Sequence, residues 1–182
     1  VTPVLFTVIV ALVGLERLAE LVVSNRNLAW ARERGGQEYG AGHYPAMVLL
    51  HTGFLAAMLA EVWIMRPPAP AWWGVALAGA VSAQALRWWC IRTLGHRWNT
   101  RVVVVPGLPL VDSGPYRWFA HPNYVAVVLE GVALPLIHGA WWTAVGFTLL
   151  NAVLLRTRLR VENAALQQAP SSPGARPAAR GQ

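Results

Sequence analysis

The chain has 182 residues, of which 55% are hydrophobic and only 13% charged, and its mean hydropathy is +0.41. A soluble domain normally carries about 25% charged residues, so the composition points to a membrane protein. The formal charge is +7, and all 15 basic residues are Arg. They sit at the ends of apolar stretches and in the loops between them, a pattern that suits lipid headgroups and topology rather than nucleic acid. The single Cys90 excludes an internal disulfide framework and a Cys-only metal site.

Apolar stretches of about 20 residues can cross the hydrocarbon core. Five are expected here, in an all-α polytopic fold: Pro3 to Val23, Pro45 to Met65, Trp72 to Ile91, a short one from Tyr124 to Ile137, and Trp141 to Leu155. The first runs on without a small-residue cleavage site, so no separate signal peptide is expected. Only His138-Gly139-Ala140 separates the last two, which predicts a tight helical hairpin. Alternate loops are basic: Arg26, Arg32 and Arg34 after the first span, then Arg92, Arg97, Arg101 and Arg117 after the third, then Arg156, Arg158 and Arg160 after the fifth. Basic loops stay inside, which places the amino terminus outside and the carboxyl terminus inside. No internal or inverted repeat is visible, against a transporter. Residues 1–168 are read as one membrane domain, and the Pro/Ala/Gly/Arg-rich run 169–182 as a disordered tail.

Several ionisable residues fall inside these spans, where they are functional candidates by default. Glu16, Arg17 and Glu20 either neutralise one another or line a substrate cavity. Glu130 has no partner in sequence and is read as a site residue, with a buried protonated carboxyl as the alternative. His51 is expected to serve as an interhelical donor. Glu61, Arg66 and His138 are expected to be solvated near the outer interface. Arg87 and Arg92 are expected to snorkel to the inner headgroups. The Trp72-Trp73, Trp88-Trp89 and Trp141-Trp142 pairs read as interface anchors. Asn25-Arg26-Asn27 and His43-Tyr44-Pro45 lie on the inner face as a gate or as loop caps. The five His show no HxxxH spacing, and no metal is expected.

The segment from Leu94 to Tyr124 is too polar to span and too rich in Gly and Pro for one helix. Its aromatic residues argue against disorder, and long ordered loops are commonly functional. The motifs Leu94-Gly95, Trp98-Asn99, Leu110-Val111, Ser113-Gly114-Pro115-Tyr116-Arg117, His121-Pro122-Asn123-Tyr124 and Glu130 resemble the isoprenylcysteine carboxyl methyltransferase family. The run Arg158-Leu159-Arg160-Val161-Glu162-Asn163 completes the resemblance, which covers roughly residues 94–166.

That resemblance implies a membrane-embedded methyltransferase that uses S-adenosyl-L-methionine. It implies that Leu108, Pro109, Leu110 and Val111 line the cofactor, largely through backbone, and that Tyr116, His121, Pro122, Asn123 and Tyr124 contact it. Glu162 would hold the cofactor, and Arg158 would face the acceptor oxygen. Glu20 and Glu130 join Arg158 as substrate-binding candidates. Arg158 and Glu162 are four apart and share one helix face. His121 is a candidate proton acceptor for a neutral phenol. Many relatives carry a second acid where this chain has Asn163. The implied acceptor is a lipophilic molecule, either an isoprenylcysteine-like carboxylate or an alkylpyrone or phenolic lipid, reached from a bacterial inner membrane with the active site on the cytoplasmic face. The competing reading is a non-catalytic lipid-binding or assembly protein on the same scaffold.

Overall fold

The computed structural model describes residues 1–168, so the expected tail at 169–182 lies outside the described residues. Five helices dominate: α1 (Pro3–Arg32), α2 (Tyr44–Ala60), α3 (Trp73–Leu94), α4 (Pro122–Leu136) and α5 (Trp141–Gln168). Two three-residue strands accompany them, β1 (Gln37–Tyr39) and β2 (Val102–Val104), paired antiparallel with Glu38 opposite Val103. The all-α expectation therefore holds apart from this small ladder, which ties the loop after α1 to the loop after α3.

Local chemistry sets the boundaries. The Thr2 hydroxyl accepts from the Leu5 N–H, and Pro3 opens α1. Pro45 and Pro122 stand in the first turns of α2 and α4. The α3 helix stops at Gly95, whose φ of 53° and ψ of −124° suit a residue without a Cβ. The α2 helix runs on into a π-turn, Glu61–Met65. By length and composition the continuous stretch Ala41–Met65 can cross a membrane, whereas Pro122–Leu136 is apolar but shorter.

The α4–α5 hairpin forms as expected, with Pro135 inside the last turn of α4 and residues 137–140 making the turn. The core gathers Phe6, Val10, Phe54, Met58, Leu134, Ile137 and Phe147. Small residues let α3 and α4 approach closely: a Cβ on Gly79 would lie 3.1 Å from the Ala133 Cβ. In contrast, Leu12, Leu15, Leu18 and Val22 on α1, Val128 and Val132 on α4, and Leu149, Leu150 and Val153 on α5 face outward.

Three expectations about charged and polar residues are overturned. Arg87 does not snorkel: it is 6% exposed, with Nη2 2.5 Å from Glu130 Oε2 and Nε 3.7 Å from Glu20 Oε1. Buried carboxylates on α1 and α4 hold the guanidinium inside, an arrangement that neighbours in sequence do not reveal. Glu61 is not solvated: its carboxylate accepts from the Trp142 and Thr143 N–H groups at 3.1 and 2.7 Å, and from the Thr143 hydroxyl at 2.7 Å. It caps the start of α5, where unpaired amides and the helix dipole favour an anion. His138 is likewise buried, its ring 5.5 Å from that of Phe6. Arg66 and Arg92 are exposed.

Candidate active site

The end of the helical assembly opposite the α4–α5 turn is polar, and α1, α4 and α5 build it with the segment after α3. The last turns of α1 anchor that segment. Asn27 Nδ2 donates to the Trp98 carbonyl at 2.6 Å and to the Gly95 carbonyl at 3.1 Å. The Ser24 hydroxyl donates to Asn99 Oδ1 at 2.9 Å, and Asn99 Nδ2 donates back to the Ser24 carbonyl at 3.1 Å. Asn27 therefore acts as a loop cap. Arg101 pairs with Glu38 at 2.8 Å and lies 4.1 Å over the Tyr44 ring, which locks β1, β2 and the start of α2 together.

Against this frame, α5 presents Arg158 and Glu162 one helical turn apart, on the face that meets the start of α4. Arg158 Nε donates to the Tyr124 hydroxyl at 2.8 Å, and that hydroxyl donates to Glu162. His121 Nδ1 lies 3.5 Å from Glu162 Oε1, and its ring stacks on Tyr124 at 5.3 Å. The four residues thus meet in one chain of contacts, Arg158–Tyr124–Glu162–His121.

The electrostatics follow the geometry. The contact with Glu162 raises the pKa of His121 above the ordinary imidazole value, against the opposing effect of burial. Burial pushes the Glu162 carboxyl up, but His121, the Tyr124 hydroxyl and the charge of Arg158 outweigh it and hold the group below the usual range. Burial pushes the Tyr116 hydroxyl well above its ordinary value, beside the Cys90 thiol.

Two cavities meet at this chain. One, of about 110 Å³, is the more polar and is lined by Arg97, Arg101, Tyr116, His121 and Glu162 beside Val102, Val103 and Val104. The other, of about 160 Å³, runs into the helices between Leu21, Val48, Leu55, Val127 and Leu154, and ends against Arg17, Glu20 and Arg87. Trp98, Asn99, Asn123, Tyr124 and Arg158 line both. Two atoms on this shared wall, Trp98 Nε1 and Asn123 Oδ1, are buried without a hydrogen-bond partner among the described residues.

The expected site residues separate accordingly. Tyr116, His121, Asn123, Tyr124, Arg158 and Glu162 come together around the polar cavity. Pro122 is buried in the first turn of α4. Leu108, Pro109 and Leu110 are exposed and, like Val111, line neither cavity; the Pro109 carbonyl accepts from Arg97. Glu20 lines the apolar cavity, whereas Glu130 lies behind it, bonded to Arg87 and Arg17 and bordering a third, smaller void. Trp98 and Asn99, named in sequence only as part of the motif, and Arg97 and Arg101, named only as loop charges, also line the polar cavity. Their signal was their position in the Leu94–Tyr124 segment, whose motif carried no role for them.

The helices thus hold an Arg–Tyr–Glu–His chain, buried at Tyr124 and Arg158 and half-buried at His121 and Glu162, between two cavities of different polarity. The chain belongs to the isoprenylcysteine carboxyl methyltransferase (ICMT) family, whose sequence model matches residues 75–168. Family membership indicates a membrane-associated methyltransferase. The uncharacterized protein YpbQ of Bacillus subtilis (strain 168) is 39% identical over 164 residues, which cover 90% of this chain and 98% of that protein. An uncharacterized protein of Haemophilus influenzae is 23% identical over 151 residues, covering 82% of this chain and 88% of its own length. No solved structure matches the chain.

Proposed function

We propose that the protein is a multi-pass membrane O-methyltransferase that takes its methyl group from S-adenosyl-L-methionine and passes it to an acidic oxygen of a lipophilic acceptor. The observation that carries this reading is the shared wall of the two cavities. Chemistry at that wall can join a ligand from the aqueous side to one from the apolar side, and Arg158 and Tyr124 stand there.

The donor set of the polar cavity suits the cofactor. S-adenosyl-L-methionine presents a carboxylate, an ammonium group and a ribose diol, and these need cationic donors and anionic acceptors in one place. Arg97 and Arg101 supply donors, and Glu162 and the unpartnered Asn123 carbonyl oxygen supply acceptors. Bound there, the cofactor supplies a methyl group activated by the sulfonium charge. On the apolar side, Leu21, Val48, Leu55 and Leu154 hold the acceptor's hydrocarbon part. Arg158 holds the acceptor oxygen through the face of its guanidinium not used by Tyr124. Alignment of the two ligands across Tyr124 is the main contribution asked of the protein. The His121–Glu162 pair fixes Tyr124 from the cofactor side.

Five membrane crossings fit this division. The outward faces of α1, α4 and α5 are rows of Leu and Val, while Glu20, Arg87 and Glu130 lie inside at 4, 6 and 7% exposure. That inside-out distribution suits a hydrocarbon solvent. At 1.5 Å per residue the 30 residues of α1 span about 45 Å, so the helix outruns a hydrocarbon core of about 30 Å and carries Ser24 and Asn27 to the inner interface. The Arg-rich loops support a cytoplasmic position for that interface. The isoprenylcysteine-like carboxylate and the alkylpyrone or phenolic lipid remain the two acceptor classes.

Isothermal titration with S-adenosyl-L-methionine in detergent tests the assignment. Micromolar binding by the wild-type protein that is lost in Glu162→Ala supports it. A well-folded wild-type protein that binds no cofactor rejects it in favour of a non-catalytic lipid-binding role.

A further inference from the structure

His43 ends the short helical turn Ala41–His43 at the mouth of the apolar cavity, and its side chain lines that cavity together with Tyr44 and Arg158. Its seat is made by Gly40. With φ at +63°, Gly40 adopts the left-handed conformation, and a Cβ there would lie 2.5 Å from the imidazole Cε1 and 2.8 Å from Val161 Cγ1. The ring is therefore wedged toward Val161, three residues beyond Arg158 on α5. Neither ring nitrogen has a hydrogen-bond partner among the described residues.

The surrounding charges favour a neutral ring. The guanidinium of Arg158 lines the same cavity and disfavours a second positive charge on the ring. From β1 and the start of β2, Glu38 and Arg101 face each other over Tyr44 and neutralise one another. On α5, Glu162 is engaged by Tyr124 and His121. The imidazole is thus an unoccupied proton acceptor in the same cavity as the residue that holds the acceptor oxygen. The other two imidazoles near the site differ in both respects. His121 lines only the polar cavity, and its contact with Glu162 raises its pKa. His51 lies about two helical turns deeper, its Nδ1 occupied by the Met47 carbonyl and its ring edge-on to Phe147.

We propose that His43 is the general base for acceptors that arrive as neutral hydroxyls, a role that rests on the methyltransferase reading. The acceptor's O–H bond breaks and its proton passes to an imidazole nitrogen of His43. The freed electron pair on oxygen forms the new O–CH3 bond, while the methyl–sulfur bond breaks and leaves its pair on sulfur as a neutral thioether. The imidazolium then gives its proton to water at the mouth, and the adjacent Arg158 charge favours that release. An acceptor that arrives already ionised has no use for this step.

The test compares 4-nonylphenol with 4-nonyl-2,6-difluorophenol, whose fluorines ionise the hydroxyl near neutral pH. The proteins are the wild type, His43→Ala and His43→Gln, assayed at pH 7 in detergent. Loss of a general base should lower kcat/KM on 4-nonylphenol by about 10²–10⁴-fold and on the difluoro analogue by less than about tenfold. Both variants should bind S-adenosyl-L-methionine like the wild type, and imidazole in the buffer should restore part of the lost rate in His43→Ala. Equal losses on the two phenols, or losses below tenfold on both, overturn the role of His43. A wild-type protein that binds the cofactor and methylates carboxylic acids but neither phenol overturns it too, and leaves the methyltransferase assignment standing. A folded wild-type protein that binds no cofactor overturns both.

Discussion

Replacing Arg158 separates the two halves of the site. The guanidinium is 8% exposed; Nε donates to Tyr124, and Nη1 lies 2.8 Å from the Met47 sulfur. Nη2 is left to meet an acceptor oxygen. A hydrogen bond from a charged donor contributes about 1.5–3 kcal/mol, so losing it corresponds to about 10- to 150-fold in kcat/KM. Arg158→Lys keeps the charge but cannot reach Tyr124 and the acceptor together, because the ammonium is a single point on a flexible stem. It should lose turnover within that range, and Arg158→Ala at least as much. Both should change the dissociation constant for S-adenosyl-L-methionine less than threefold, since Glu162 and Asn123 remain. The assay is transfer of a labelled methyl group to a lipophilic acceptor in detergent, run beside calorimetric titration of the cofactor. Equal losses of turnover and cofactor affinity would refute the assignment of Arg158 to the acceptor side.

Two further outcomes rest on the charged pairs. His121 has a raised pKa in the folded protein, so its contribution to stability is complete below the ordinary imidazole value of 6.5 and disappears as pH rises through the raised value. Glu162 has a lowered pKa, so its contribution is complete above 4.5 and is lost only as pH falls through the lowered value. The Tm in detergent should therefore hold between about pH 5 and 6.5 and decline above, and His121→Gln should flatten that decline; an unchanged slope would trace it to other groups. Glu130→Gln leaves Arg87 with Glu20 alone at 3.7 Å, and breaking a buried pair of this kind costs about 3–5 kcal/mol. Thermal unfolding of that variant should begin several degrees lower, and a Tm equal to wild type would show that Glu20 suffices.

The features legible in sequence were those set by local spacing. Three residues between two apolar runs gave the α4–α5 hairpin, and the four-residue interval from Arg158 to Glu162 gave their common face. The Gly- and Pro-punctuated character of Leu94–Tyr124 marked it as irregular yet ordered. The partnerships that cross the molecule were not legible. Glu61 and Thr143 lie 82 positions apart and Arg87 and Glu130 lie 43 apart, with no pattern connecting either pair. An isolated Arg near the end of an apolar run reads as a snorkelling residue until a carboxylate on another helix is placed beside it. The β1–β2 ladder escaped for a related reason, since three residues are too few to show alternation. Leu108–Val111 were weighted by their motif, whereas the neighbouring Trp98 and Asn99 reach the cavities because Ser24 and Asn27 pull their loop inward.

The grip of Glu61 on the first turn of α5 makes that helix a rod clamped at its start. Fifteen residues separate Thr143 from Arg158, about 22 Å at 1.5 Å per residue. Pivoting the rod by only 5° about its clamp would carry the guanidinium sideways by about 2 Å, more than most alignments for group transfer tolerate. Under the proposed methyltransferase reading, tuning of catalysis can therefore originate at a carboxylate at the opposite end of the helical assembly, and Glu61 belongs among the positions where activity can change without any substitution near the reacting atoms.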